Sequence, residues 1–190
     1  RQGMRPNGST DPQGAAYRQM AETAFRDYRL TVTGLVGTPV TLSLADLAAL
    51  PSRTQITRHD CVEGWSCVAK WQGVPLGTVL NLAKPRVTAR YAVFHCYDAI
   101  ERSLAGEVFY YESIDLIDAY HAQTILAYAM NGAPLPVANG APLRLRVERQ
   151  LGYKMAKYVH TIELTDSFAG LGFGRGSYWA DRGYEGYAGI

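Results

Sequence analysis

The chain has 190 residues, 47% of them hydrophobic, and a formal net charge of +2. That length and apolar share suit one globular unit with a real core, while the small charge and the lack of any lysine or arginine run exclude a nucleic-acid partner. No apolar stretch approaches the ~20 residues that span a bilayer, and three cysteines, Cys61, Cys67 and Cys96, exclude a disulfide scaffold, a zinc site and a C-x-x-C redox pair.

The chain begins with Arg1, not Met, and reads as a mature or trimmed form that has lost an export signal. Residues 1–14, rich in Gly, Pro, Asn and Gln, read as a loose arm. Ala15 to Tyr28 carries Met20, Ala21, Ala24 and Phe25 at helical spacing. Leu30 and Val32 alternate with threonines as on a half-buried strand, and Gly37-Thr38-Pro39 turns the chain into a second strand, Val40 to Leu42. Ser43 caps the next helix with Asp46 three residues on, and Pro51 stops it. Thr54 to Asp60 reads as a strand that delivers Cys61 to a loop.

Leu76 to Leu82 forms a short helix that ends near Pro85, and Tyr91 to Cys96 is the clearest strand. Val108 to Ile114 is strand or loop, and Thr124 to Met130 is apolar enough for strand or helix. Asn131-Gly132 and Asn139-Gly140 are turns. Leu143, Leu145 and Val147 share one face of a period-2 segment, with Arg144, Arg146 and Glu148 on the other, which predicts a strand with a solvated charged face. Tyr158 to Leu164 closes the body. Seven glycines follow from Phe168 onward, so 168–190 reads as an irregular arm that must pack on the domain to be ordered. Short strands and helices in irregular succession predict an α+β fold and a single domain over 1–190.

The chemistry concentrates between Arg58 and Leu76. A thiol at Cys61, flanked by His59, Asp60 and Glu63, is a candidate metal ligand or nucleophile; the plainer reading is a small buried apolar residue. On an extended segment Cys67 falls about 20 Å from Cys61. P-loop, dinucleotide and c-type haem motifs are missing. Cys-Val-Glu-Gly-Trp-Ser, followed by Trp-x-Gly-Val-Pro-Leu, resembles the cofactor motif of sulfite-oxidase-fold molybdopterin enzymes. The nearest branch is the catalytic subunit of bacterial periplasmic protein-methionine-sulfoxide reductase. The resemblance implies that the Cys61 thiolate binds molybdenum held by a pterin, a soft ligand for a high-valent metal.

Two later segments extend it. Asn139-Gly-Ala-Pro-Leu-Arg144-Leu resembles a second signature whose asparagine and arginine contact the pterin and its phosphate. Gly152-Tyr-Lys-Met-Ala-Lys resembles a third, which implies cofactor contacts from Met155, Ala156 and Lys157. Aligned without gaps from Cys61, Cys96 falls where the branch has a threonine near the cofactor, so Cys96 is placed near the metal. The relatives' N-terminal cofactor stretch has no clear counterpart, and the Cys-Ala-Gly-Asn motif of true sulfite oxidases is missing. The resemblance covers about Tyr28 to Leu164. It implies a sulfite-oxidase-type molybdopterin-binding fold, a periplasmic monomer, oxygen-atom transfer on a small sulfoxide or related oxyanion, and a cytochrome electron partner. The alternatives are a sulfite-type dehydrogenase, a non-catalytic module on the same fold, and a cysteine nucleophile using Cys61 with His59. His59 and His95 are candidate proton shuttles, and His121 and His160 read as structural.

Overall fold

The computed structural model describes residues 4–190. Helix α1 (Ala15–Glu22) is shorter than its periodicity predicts, because Ala24 and Phe25 turn the chain at φ 53° and 58°. Strands β1 (Leu30–Gly34) and β2 (Val40–Leu42) lead into α2 (Leu44–Ala49), where Ser43 and Asp46 form the expected reciprocal cap at 3.1 and 2.8 Å. The hairpin of β3 (Arg53–Asp60) and β4 (Ser66–Pro75) follows, and Pro75 opens α3 (Leu76–Ala83). A long hairpin, β5 (Tyr91–Ser103) and β6 (Gly106–Asp115), runs well past the predicted Cys96. The chain continues through α4 (Leu116–Ala119), β7 (Ile125–Met130), β8 (Ala133–Pro134), β9 (Arg144–Arg146) and β10 (Val159–Thr165).

One sheet has the order β2-β1-β10-β5-β6, with β1 and β10 parallel; the other has β3-β4-β7-β8, and β9 pairs β7 beside β8. This is an α+β fold of mixed short sheets and few short helices. The main core joins Phe94, Ile162 and Leu164 of the first sheet to Val79 and Leu80 of α3, and to Val74 and Leu126 on one face of the second. The opposite face of the second sheet, with Trp71, Ile125 and Ala127, packs a smaller cluster that includes Met4. Period 2 thus divides β4 and β7 between two apolar environments, which is why Thr124 to Met130 reads as continuously apolar. Gly73 lets β4 and β7 approach, since a Cβ there would meet the backbone of Leu126 and Ala127.

Three expectations are corrected. Leu143, Leu145 and Val147 do enter the core, but Arg144 and Arg146 on the other face are fully buried, not solvated. Trp71 covers both, at 5.1 and 4.4 Å from its ring centre. Residues 4–14 are held to the body and are not a loose arm: Met4 is buried, and Tyr158 Oη donates to the Ser9 carbonyl at 3.0 Å. Cys67 does not lie ~20 Å from Cys61 along one strand, because the hairpin reverses the chain and pairs Cys67 with His59. The arm 168–190 packs through Tyr178 N–H to the Tyr111 carbonyl (3.1 Å) and Leu151 N–H to the Ala188 carbonyl (2.9 Å).

Candidate functional site

Cys61 sits in the bend between β3 and β4. Its N–H donates to the Trp65 carbonyl at 2.9 Å, and its carbonyl accepts from Gly64 at 3.0 Å. Gly64 supplies the positive φ (85°) that closes so tight a loop. The thiol is 9% exposed and opens on a cavity. Burial pushes it above its ordinary pKa, partly opposed by the Glu63 N–H and by Arg5. Met155 and Lys157 line the same cavity, after the short 3-10 turn Gly152–Lys154. Lys154 anchors that turn from below through a fully buried ion pair with Glu112 on β6, at 2.5 Å.

Lys157 Nζ donates to the carbonyls of Ser9 and Ala138. Burial, then the nearby Arg144, pulls its pKa from 10.5 to about 7. Arg144 is buried behind it, donating to the Asn139 carbonyl at 2.9 Å and the Met155 carbonyl at 3.4 Å. Burial, then Arg146, lowers its pKa to about 9. Arg146 is neutralised by Glu148 at 2.7 Å, whereas the hydrogen-bond acceptors of Arg144 and Lys157 are all backbone carbonyls. Two cations are therefore held out of water with no bonded carboxylate, an arrangement that favours an anionic ligand.

Cys61, Met155 and Lys157 share the cavity, and Asn139, Arg144 and Ala156 back it. The Ala156 carbonyl accepts from Leu145 N–H at 2.8 Å, tying the turn to β9. Cys96 must be corrected. It is fully buried in the main core, its thiol 3.9 Å from the Phe94 carbonyl, and it does not line the cavity. The inward row of β5 runs Ala92, Phe94, Cys96 and only then Asp98, so Cys96 stops one pleat short.

Several cavity residues escaped the sequence reading. Asn7, Gly8 and Ser9 lie in the supposedly uninvolved N-terminal stretch, whose Asn-Gly signals only a turn. Asp98 had a signal, an acid on the inward row of an apolar strand; burial raises its carboxyl to about 6. Tyr153, Trp179 and Tyr184 form an aromatic rim, with Tyr184 5.3 Å from Tyr153 and 5.1 Å from Trp179. The proposed shuttles do not serve. Burial, then Arg144 and Arg146, drives His59 to about 2, and its Nδ1 faces Arg146. His95 pairs with Glu163 at 2.9 Å on the outward row of β5. A Cys61–His59 nucleophile fails with them: the thiol is not acidified, and the imidazole is bound elsewhere.

The family described as oxidoreductase molybdopterin binding domain matches residues 17–170. A putative protein-methionine-sulfoxide reductase subunit YedZ1 of Azospira oryzae is 39% identical over 90% of this chain and 59% of its own. The protein-methionine-sulfoxide reductase catalytic subunit MsrP of Xanthomonas campestris pv. campestris is 35% identical over 83% of this chain and 49% of its own. The chain thus spans about half to three-fifths of the length of these relatives. Among solved structures, the sulfane dehydrogenase SoxCD of Paracoccus pantotrophus shares the fold with a TM-score of 0.63 over 74% of this chain and 39% of its own, at 22% identity.

Proposed function

This chain belongs to the molybdopterin-binding oxidoreductase domain family, and from that premise we propose that it reduces a small neutral sulfoxide at a molybdenum held by the Cys61 thiolate. The observation that carries the reading is the unmet demand of the cavity wall. Among the described residues six buried side-chain polar atoms lack a partner; two of them, on Asn7 and Asp98, belong to residues that line the cavity, and three, on His59, Asn139 and Arg144, to residues packed behind its lining. Each such atom costs about 1–3 kcal/mol. A pterin rich in ring donors and acceptors, with a phosphate for Lys157 and Arg144, fits that set. Cys61, Asn139, Arg144, Met155, Ala156 and Lys157 are the proposed cofactor residues, joined by Asn7 and Asp98.

When bound, the molybdenum cofactor supplies the two-electron chemistry. The sulfoxide takes up two electrons and two protons and leaves as sulfide plus water. Asp98 is the wall carboxyl that still holds a share of protons near its raised pKa of about 6 and can pass one inward. Val62, Ile100, Trp179 and Tyr184 give the cavity an apolar side that suits the methyl groups of a neutral sulfoxide, while Lys157 is assigned to the cofactor phosphate. A cytochrome donor and a periplasmic setting complete the proposal, in line with the relatives' names as subunits of a reductase. Among the described residues no helix is long and apolar enough to cross a membrane.

The test is reduction of a methyl sulfoxide by the cofactor-loaded chain with a reduced viologen as donor. Turnover that disappears in Cys61→Ser supports the proposal. Full loading with no sulfoxide turnover assigns the chain to the non-catalytic alternative.

A further inference from the structure

The contact between Arg146 and His59 fixes a proton. Arg146 Nη1 lies 2.8 Å from His59 Nδ1. A guanidinium has donors only, so Nδ1 must be the acceptor, and a neutral imidazole that accepts at Nδ1 carries its hydrogen on Nε2. Arg146 is not free to turn away. Its Nε and Nη2 are tied to Glu148 at 2.9 and 2.7 Å, its plane lies over Trp71 at 4.4 Å, and it is fully buried.

The resulting Nε2–H is fully buried and has no acceptor, a condition folded proteins rarely leave unmet without a ligand or water. It occupies the space that a Cβ on Gly152 would fill, and Gly152 lines the cavity with Cys61 and Lys157. Asn7, whose Oδ1 is equally unpartnered, reaches the Gly152 carbonyl from the same wall at 3.5 Å.

We propose that His59 is a cofactor-binding residue, a tautomer-locked N–H donor aimed by the Arg146–Glu148 pair at an acceptor atom of the pterin in the Cys61 cavity. The proposal rests on the reading of that cavity as a pterin site. It adds a contact supplied by the strand before the cysteine loop, and it gives Arg146 a purpose distinct from the phosphate-facing Arg144.

The first test needs no cofactor. Ring ¹⁵N spectra of the cofactor-free chain are expected to show His59 Nδ1 bare and Nε2 protonated; a hydrogen on Nδ1 overturns the proposal. The second follows pterin release by fluorescence from loaded native, His59→Gln and His59→Leu chains. Leu keeps the bulk and loses the donor, so release is expected to quicken about tenfold. Gln restores an N–H and is expected to stay within about threefold of native, with the cofactor-free melting temperatures of both variants alike. Native-like retention by His59→Leu, or equal loss from both variants, marks a packing role and overturns the proposal. Native chain that never retains pterin overturns the cavity reading as well, which separates the two failures.

Discussion

Replacing Lys157 with Met removes a buried ammonium and keeps most of its length. In the cofactor-free chain the native ammonium has a pKa of about 7 against an ordinary 10.5. The folded state therefore gives up this proton before the unfolded state does. Between those values the unfolded chain binds more protons, so stability rises with pH in that window. The slope is about 1.4 kcal/mol per pH unit, for a total on the order of 5 kcal/mol across the window. Lys157→Met lacks the group and lacks the slope. Urea unfolding of both chains at pH 7, 8 and 9 reads the difference, since all other titrations cancel. Native chain is expected to gain about 2 kcal/mol on the variant over those two units, since the folded-state lysine is already half titrated at pH 7. A flat difference would mean that Lys157 is adequately solvated or paired, and the case for an anion in this cavity would lose its main support. Phosphate, or the pterin phosphate, should flatten the native curve by returning the lysine to its charged form.

Asp98→Asn tests the proton source. Burial raises the native carboxyl from 3.8 to about 6, so its folded-state cost grows as pH rises through that interval, reaching about 3 kcal/mol. The Asn variant should gain about 2 kcal/mol of that on native between pH 4 and pH 6 while losing about a hundredfold in sulfoxide turnover; unchanged turnover removes Asp98 from the chemistry. Glu112→Gln strands Lys154 in a site where both partners are fully buried at 2.5 Å. A loss of about 3–5 kcal/mol in urea unfolding is expected, and a loss below about 1 kcal/mol would show that the pair does not anchor the cofactor turn.

Much of the framework was legible because it rests on local chemistry. The Ser43–Asp46 cap, the helix that begins at Leu76 and the alternation in β1 are written in adjacent residues. So was the Cys61 loop, since Gly64 allows the turn that its hydrogen bonds close. Burial of Arg144 and Arg146 was not legible, because alternation reports two faces and not what covers them. Here Trp71, on the distant strand β4, lies over both guanidinium groups. Cys96 misled for a related reason: an ungapped offset from Cys61 ignores the long β5 ladder, on which the cavity begins only at Asp98. The N-terminal contribution was hidden by composition. Asn7 to Ser9 look like a free turn until Lys157 and Tyr158 are seen to reach back to the Ser9 carbonyl.

The most direct measurement of the central claim is X-ray absorption at the molybdenum edge on loaded native chain and on Cys61→Ser. If the Cys61 sulfur holds the metal, the native spectrum contains one more sulfur neighbour than the variant, and an oxygen takes its place in the serine chain. An identical sulfur shell in the two proteins contradicts the account.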